Sequence, residues 1–116
     1  MQFVSRDPII YLEDIQTSCK KILTYIDGMN FDEFTASSIT YDAVLRNLEI
    51  IGEATKNVPE DFKNQYQQVE WRAAAALRNI LAHAYFTIKD EIIWDVITNK
   101  IPVLLGQVTE ILNNHQ

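Results

Sequence analysis

The segment that begins at Arg78 and ends at Tyr85 holds side chains whose types and spacing could do chemistry. Arg78, Asn79, His83 and Tyr85 recur within it at helical spacing. A guanidinium binds phosphate oxygens with a rigid fork of donors, and histidine titrates near neutral pH. This set could cleave RNA without a metal: a base would take the proton of a ribose 2′-hydroxyl while Arg78 stabilises the charge that grows on the phosphate.

A helical wheel predicts that these side chains share one side of a helix. With Arg78 at zero and about 100° per residue, Tyr85 falls at about −20°, Asn79 at about 100° and His83 at about 140°. The opposite arc is apolar and predicts the core side: Ala73, Ala74, Leu77, Ile80, Leu81 and Ala84. Because Asn79 and His83 are four residues apart, Asn79 could orient the imidazole. The alternative is a surface histidine and an arginine that pairs with acidic residues of the bundle.

Charge is distributed unevenly around this segment. The 116 residues carry 10 Lys+Arg and 16 Asp+Glu, a net charge of −6 that argues against a protein that coats nucleic acid. Residues 71–89 contain Arg72, Arg78, Lys89 and no acid, so this stretch is +3 and the rest of the chain is −9. Such a basic island is compatible with a local RNA site. Three solvated surface cations are the alternative.

The remaining composition excludes several kinds of site. The single cysteine, Cys19, excludes an intramolecular disulfide framework and a cysteine-based zinc site. The two histidines are not accompanied by clustered carboxylates, and His115 has no partner pattern, so we expect neither a metal nor another cofactor. The N-terminal residues lack the apolar stretch of a signal peptide, and no apolar run approaches the roughly 18 residues of a membrane span. We therefore expect a cytoplasmic protein that does not contact membranes.

Helices must position the polar side chains, and the chain is predicted to be one all-α domain over residues 1–116, with its core at about residues 8–112. It has only 3 Gly and 3 Pro, about 5% against a usual ~12%, so turns are few. Four main helices are predicted: from Asp7 and Pro8 to Gly28, over about residues 38–57, over about residues 70–85, and from about Asp90 onward. A short fifth helix is predicted from Pro59 to about Tyr66, in a small bundle.

Apolar residues at spacings of three and four predict the inward faces of these helices. They are Leu12, Ile15, Cys19, Ile22 and Ile26; then Val44, Leu48, Ile51 and Thr55; then Ile93, Ile97, Ile101, Leu104, Val108 and Ile111. Gly52 predicts a close helix contact, and Pro102 predicts a kink. Residues 29–37 are predicted to be a connector with one short turn at residues 32–34, and residues 113–116 are predicted to fray.

Taken together, these residues resemble the HEPN superfamily of all-α domains and, within it, the HepT-type toxins. The HEPN hallmark of Arg, a polar residue, spacers and His is similar to Arg78-Asn79 followed by His83, and the HepT-type extension is similar to His83-Ala84-Tyr85. Residues 43–54, AVLRNLEIIGEA, resemble the second-helix signature of the family. The resemblance covers about residues 8–112.

The resemblance implies a metal-independent endoribonuclease toxin that cleaves tRNA or mRNA. It implies Arg78 and His83 as the catalytic pair and Asn79 as a supporting group, in a composite site across a homodimer. The dimer would bring two copies of His83 together, and in-line cleavage needs both a base and an acid. Glu53, in the second-helix signature, is a weaker candidate that could line the cleft or pair with Arg78.

The resemblance also implies a partner, a small MNT-type nucleotidyltransferase antitoxin that transfers AMP from ATP to Tyr85. An AMP ester would place a phosphate anion and an adenosine beside Arg78, which would neutralise the site and block RNA entry. Two other functions stay open. One is a non-catalytic helical subunit that holds a nucleotide or substrate for a nucleotidyltransferase, and the other is a structural bundle that dimerises through its helices.

Overall fold

The computed structural model describes residues 7–115, and every regular element in that range is helical. The helices are α1 (Pro8–Tyr25), α2 (Phe31–Ala36), α3 (Ser38–Asn57), α4 (Glu60–Asn64), α5 (Trp71–Ala76), α6 (Ile80–Ala84), α7 (Asp90–Asp95) and α8 (Ile101–Asn114). A 3₁₀ turn, Leu77–Asn79, joins α5 to α6, and a π-helical segment, Val96–Lys100, joins α7 to α8. The prediction of an all-α bundle with four main helical segments is confirmed, and the dimer stays a prediction.

Local chemistry explains the ends of α1. The Asp7 side chain accepts a hydrogen bond from the backbone N–H of Ile9 at 2.9 Å, and Pro8 occupies the first turn, as predicted. After the helix, Gly28 adopts a φ of +77°, a left-handed conformation that glycine takes without strain. The expectation that the N-terminus lacks a signal peptide concerns residues 1–6 in part, and these lie outside the described residues.

The core forms where α1 packs against α3 and α8. All the predicted inward positions of the first, second and last helices are buried, which confirms the apolar stripes. Cys19 is fully buried among them, and burial raises the pKa of its thiol to about 12. The bounds of α3 also agree with the prediction, since Ser37 caps it by accepting from the Thr40 N–H at 3.3 Å.

The connector at residues 29–37 was predicted with one short turn, and the structure instead has a six-residue helix, α2. A capping box explains it: the Glu33 N–H donates to the Asn30 side chain at 2.8 Å, and the Asn30 N–H donates to Glu33 at 3.0 Å. Fully buried Phe34 anchors α2, because its ring centroid lies 5.3 Å from those of both Tyr41 and Trp94.

A π-helical segment precedes Pro102, and in it the backbone N–H of Ile101 donates to the Val96 carbonyl five residues back. The kink at Pro102 stays a prediction. The expected fraying is wrong for the described residues, because α8 continues to Asn114 and His115 Nε2 lies 2.7 Å from the Tyr66 hydroxyl. Gln116 lies outside the described residues.

Within residues 7–115, no helix is both long enough and apolar enough to cross a membrane.

Candidate functional site

Arg78 lies in the 3₁₀ turn in the middle of the site helix, the name used here for residues 71–84. On α3, Gly52 lies directly against Arg78: a Cβ built on Gly52 would come within 2.0 Å of the backbone nitrogen of Arg78 and 2.6 Å of its Cα. A side chain at position 52 would therefore collide with backbone. The predicted close helix contact at Gly52 is confirmed, and it fixes the backbone of Arg78 on α3.

The Arg78 side chain points toward Glu53, the residue that follows Gly52 on α3. Its Nε lies 4.0 Å from Glu53 Oε2, and the two side chains are 39% and 56% exposed. A pair at this distance and exposure contributes little to stability. The guanidinium therefore stays accessible to a phosphate. Glu53 lies beside it, in agreement with the expectation that Glu53 could pair with Arg78.

His83 has an exposed side chain on a firmly held backbone. Its carbonyl accepts the N–H groups of Phe86 at 3.1 Å, Thr87 at 2.9 Å and Ile88 at 3.2 Å, which ends the site helix. Within residues 7–115 the imidazole makes no hydrogen bond. An accessible imidazole on a fixed backbone can exchange protons with a bound ligand, as general acid–base chemistry requires.

Asn79 and His83 are not joined by a hydrogen bond in the part of the chain that the structure describes. The expected orienting contact depended on regular α-helical spacing. Asn79 instead ends the 3₁₀ turn with φ −97° and ψ 1°, so the phase between the two side chains departs from four α-helical steps. Asn79 lies exposed near Arg78 and does not orient the imidazole.

The two faces of the site helix otherwise follow the wheel. The side chains of Asn79, His83 and Tyr85 are exposed and Arg78 is partly exposed. On the opposite arc, Ala74, Ile80 and Ala84 are buried, and Leu77 and Leu81 are partly buried. Ala73, which was predicted on the core side, is exposed.

Tyr85 follows α6 and is tied to α3 through its hydroxyl. The Tyr85 hydroxyl donates a hydrogen bond to Asp42 Oδ1, while 57% of the residue remains exposed. This hydrogen bond, followed by burial and the charge of Asp42, raises the pKa of Tyr85. Tyr85 is therefore accessible to solvent as a residue, while a hydrogen bond fixes the position of its hydroxyl.

A second tyrosine–aspartate pair supports the first. Tyr41, buried and adjacent to Asp42, donates its hydroxyl to Asp90 Oδ1 at 2.7 Å, and its ring centroid lies 5.9 Å from that of Tyr85. Burial, followed by the hydrogen bond to Asp90, raises the pKa of Tyr41. The segment 85–90 is thus joined to α3 at its first residue, Tyr85, and at its last residue, Asp90.

Asp42 was not among the predicted site residues. It precedes residues 43–54 by one position, and it lies eleven residues before Glu53, which places the two acids about 20° apart on an α-helix. Arg78 and Tyr85 are likewise about 20° apart on the wheel. Each pair therefore shares one side of its helix, although the pairs are eleven and seven residues apart, and this common side was the available signal.

Outside this face, a cavity of about 310 Å³ lies between α5 and α8. Its floor includes Ala74, Leu77 and Leu104, and its lining includes neither Arg78 nor His83. Within residues 7–115, no group of three or more His, Cys, Asp or Glu side chains could hold a metal ion.

Residues 15–111 match the family described as "Ribonuclease HepT-like". The chain belongs to this family. The match contains the whole site helix and, on α3, Asp42, Gly52 and Glu53, so the HEPN and HepT-type resemblance seen in the sequence is confirmed. The HepT-like chain carries Arg78 and His83 on the solvent side of its site helix, and Tyr85 directly after it.

Several relatives share most of the length of the HepT-like chain. It is 46% identical over 109 residues, covering 94% of this chain and 90% of the relative, to "Putative RNase MJ0127" of Methanocaldococcus jannaschii. It is 38% identical to "Putative RNase TTE0752" of Caldanaerobacter subterraneus, with 96% and 99% of the two chains covered. It is 40% identical to "Probable ribonuclease HepT" of Thermococcus cleftensis, with 84% and 88% covered. No solved structure matches.

Proposed function

We propose that the HepT-like chain is a metal-independent endoribonuclease toxin that cleaves tRNA or mRNA. One observation carries this proposal: Arg78 and His83 are presented to solvent from a site helix whose backbone is fixed at both residues. Gly52 holds the first through direct backbone contact, and three N–H groups hold the second. A cation and a proton acceptor on a rigid element suit an RNA phosphodiester.

In the proposed reaction, His83 accepts the proton of a ribose 2′-hydroxyl and the 2′ oxygen attacks the adjacent phosphorus. The bond from phosphorus to the 5′ oxygen of the next nucleotide then breaks, leaving a 2′,3′-cyclic phosphate and a 5′-hydroxyl. Arg78 stabilises the charge on the non-bridging oxygens. Balanced proton transfer requires an acid for the leaving oxygen, and we assign this role to His83 of a second copy across a two-fold axis.

We also propose that a nucleotidyltransferase antitoxin neutralises the toxin by adding AMP to Tyr85. Tyr85 supports this role because its hydroxyl is fixed while more than half of the residue is exposed. It lies about 10 Å along the helix from Arg78, within reach of an attached nucleotide. The added phosphate would compete with RNA for the guanidinium.

The cleavage proposal is tested by the ends that the enzyme leaves on a synthetic RNA oligonucleotide in the presence of a metal chelator. We expect 2′,3′-cyclic phosphate and 5′-hydroxyl ends, and no cut after a nucleotide that carries a 2′-deoxy substitution. Cleavage of the 2′-deoxy position, or activity that disappears with chelator and returns with Mg²⁺, would contradict it. Absence of any cleavage together with a tight nucleotidyltransferase complex would favour the non-catalytic subunit.

A further inference from the structure

The Tyr85 hydroxyl already donates its proton to a carboxylate of the same chain, Asp42. We propose that Asp42 is the proton acceptor when Tyr85 attacks a nucleoside triphosphate. This inference rests on the proposed function, because it concerns the step in which Tyr85 receives AMP. It assigns to Asp42 a role in the modification of its own chain.

The chemistry of a phenol creates the need for such an acceptor. A neutral hydroxyl is a weak nucleophile, and a base within hydrogen-bonding reach activates it by taking the proton as the new bond forms. In protein kinases an aspartate accepts the proton of the substrate hydroxyl in this way. Asp42 Oδ1 has the same relation to the Tyr85 hydroxyl before any partner binds. Since the same hydrogen bond raises the pKa of Tyr85, the tyrosine stays protonated until the attack.

The second tyrosine–aspartate pair shows why the reaction falls on Tyr85. Tyr41 and Asp90 make the same type of hydrogen bond at 2.7 Å, but Tyr41 is only 9% exposed whereas Tyr85 is 57% exposed. The two pairs lie side by side, with tyrosine ring centroids 5.9 Å apart. Accessibility therefore selects Tyr85, and the buried pair keeps α3 and residues 85–90 in register.

The step balances as follows. The Tyr85 hydroxyl oxygen attacks the α-phosphorus of ATP, and the oxygen–phosphorus bond forms. The bond between the α-phosphorus and the bridging oxygen breaks, and diphosphate leaves with the electron pair. The hydroxyl proton passes to Asp42 Oδ1. The modified oxygen then has no proton to donate, and its phosphate carries a negative charge, so the ester separates from Asp42 once that carboxyl ionises again.

The test compares rates of AMP addition to Asp42→Asn and to Asp90→Asn, its matched control at the buried pair. Each purified full-length variant is incubated with ATP and a purified MNT-type nucleotidyltransferase, and intact mass follows the adduct over a range of pH. We expect Asp42→Asn to lose on the order of 10²-fold or more in rate. It should also lose the decline at low pH that protonation of the carboxylate causes. Asp42→Glu should recover part of the rate, and Asp90→Asn should stay near wild type.

Thermal unfolding of each variant shows whether it is folded before its rate is compared. A wild-type chain that gains no AMP, or gains it equally in Tyr85→Phe, would overturn the proposed modification and with it the role of Asp42. A wild-type chain modified at Tyr85, with an Asp42→Asn variant modified at the same rate, would overturn only the role of Asp42. A slower Asp42→Asn reaction with an unchanged pH profile would also overturn it, because that result indicates positioning without proton transfer.

Discussion

Gly52 of α3 lies against the backbone of Arg78, so closely that a Cβ built on Gly52 would come within 2.0 Å of the backbone nitrogen of Arg78. The contact explains why the site helix can lie on α3 at the residue proposed to bind phosphate. It also links the motif on one helix with the sequence signature on another. The glycine is therefore a structural requirement of the site.

We expect Gly52→Ala to destabilise the protein by about 1–3 kcal/mol, because a methyl group must displace backbone in a packed contact. Cleavage of RNA should fall with it, since Arg78 moves when the helices separate. Urea unfolding measures the first effect and an oligonucleotide assay the second.

The matched control is Gly106→Ala, because Gly106 is also helical and nothing lies within 4 Å of a Cβ built there. Replacing glycine by alanine in a helix then favours folding by roughly 0.5–1 kcal/mol. Equal destabilisation by both substitutions would show that the Arg78 contact is unimportant.

Glu53→Gln should have little effect on stability, because the exposed pair with Arg78 at 4.0 Å is weak. It should nevertheless tighten RNA binding, since a negative charge is removed beside the guanidinium that is proposed to bind phosphate. Binding of a short RNA to the His83→Ala background at low salt measures the effect without cleavage. Weaker binding would instead make Glu53 a direct contact for RNA.

The Tyr85 phenol should ionise at higher pH than a free tyrosine, because the Asp42 hydrogen bond raises its pKa. A pKa that is raised by folding contributes stability below the unfolded value of about 10 and loses that contribution as pH rises through the folded value. Asp42→Asn should return the Tyr85 pKa toward 10. Tyrosinate absorbance, with Tyr85→Phe as the reference, follows this group; an unchanged titration would mean that the hydrogen bond is absent in solution.

Cys19 should react with a thiol reagent only when the protein opens. The thiol is fully buried, and its pKa is raised to about 12, so the native chain offers almost no thiolate near neutral pH. Labelling monitored by mass should accelerate with urea in parallel with unfolding. Rapid labelling of the native protein would contradict the core position.

Periodicity predicted the long helices well, because the inward stripe of α3 and its Ser37 cap are local signals. At α2 only a short turn at residues 32–34 was predicted, although Asn30 and Glu33 stand at capping-box spacing, because a single buried residue, Phe34, anchors so short a helix. The prediction of a contact between Asn79 and His83 was wrong, because the site helix has a 3₁₀ turn where it packs on Gly52. A helical wheel assumes a uniform α-helix and does not include such a turn.

Asp42 was missed for a different reason. Its importance depends on how α3 and the site helix align, and a single helical wheel contains no information about the neighbouring helix. By contrast, the pairing of Glu53 with Arg78 was among the expected alternatives, because Glu53 belongs to residues 43–54, which resemble the family signature.

The basic island also changes the meaning of the net charge of −6, which argues against coating duplexes and not against a local RNA site.

His83 is proposed to cleave RNA as an acid–base group, and a comparison of three proteins tests this role. AMP-free wild type, His83→Ala and His115→Ala are assayed on the same RNA in the presence of chelator. His115 is the matched control because it is the other histidine and contacts Tyr66 away from the site. We expect His83→Ala to lose on the order of 10²-fold or more in cleavage rate and His115→Ala to keep it. Full cleavage by His83→Ala would show that His83 is not the acid–base group.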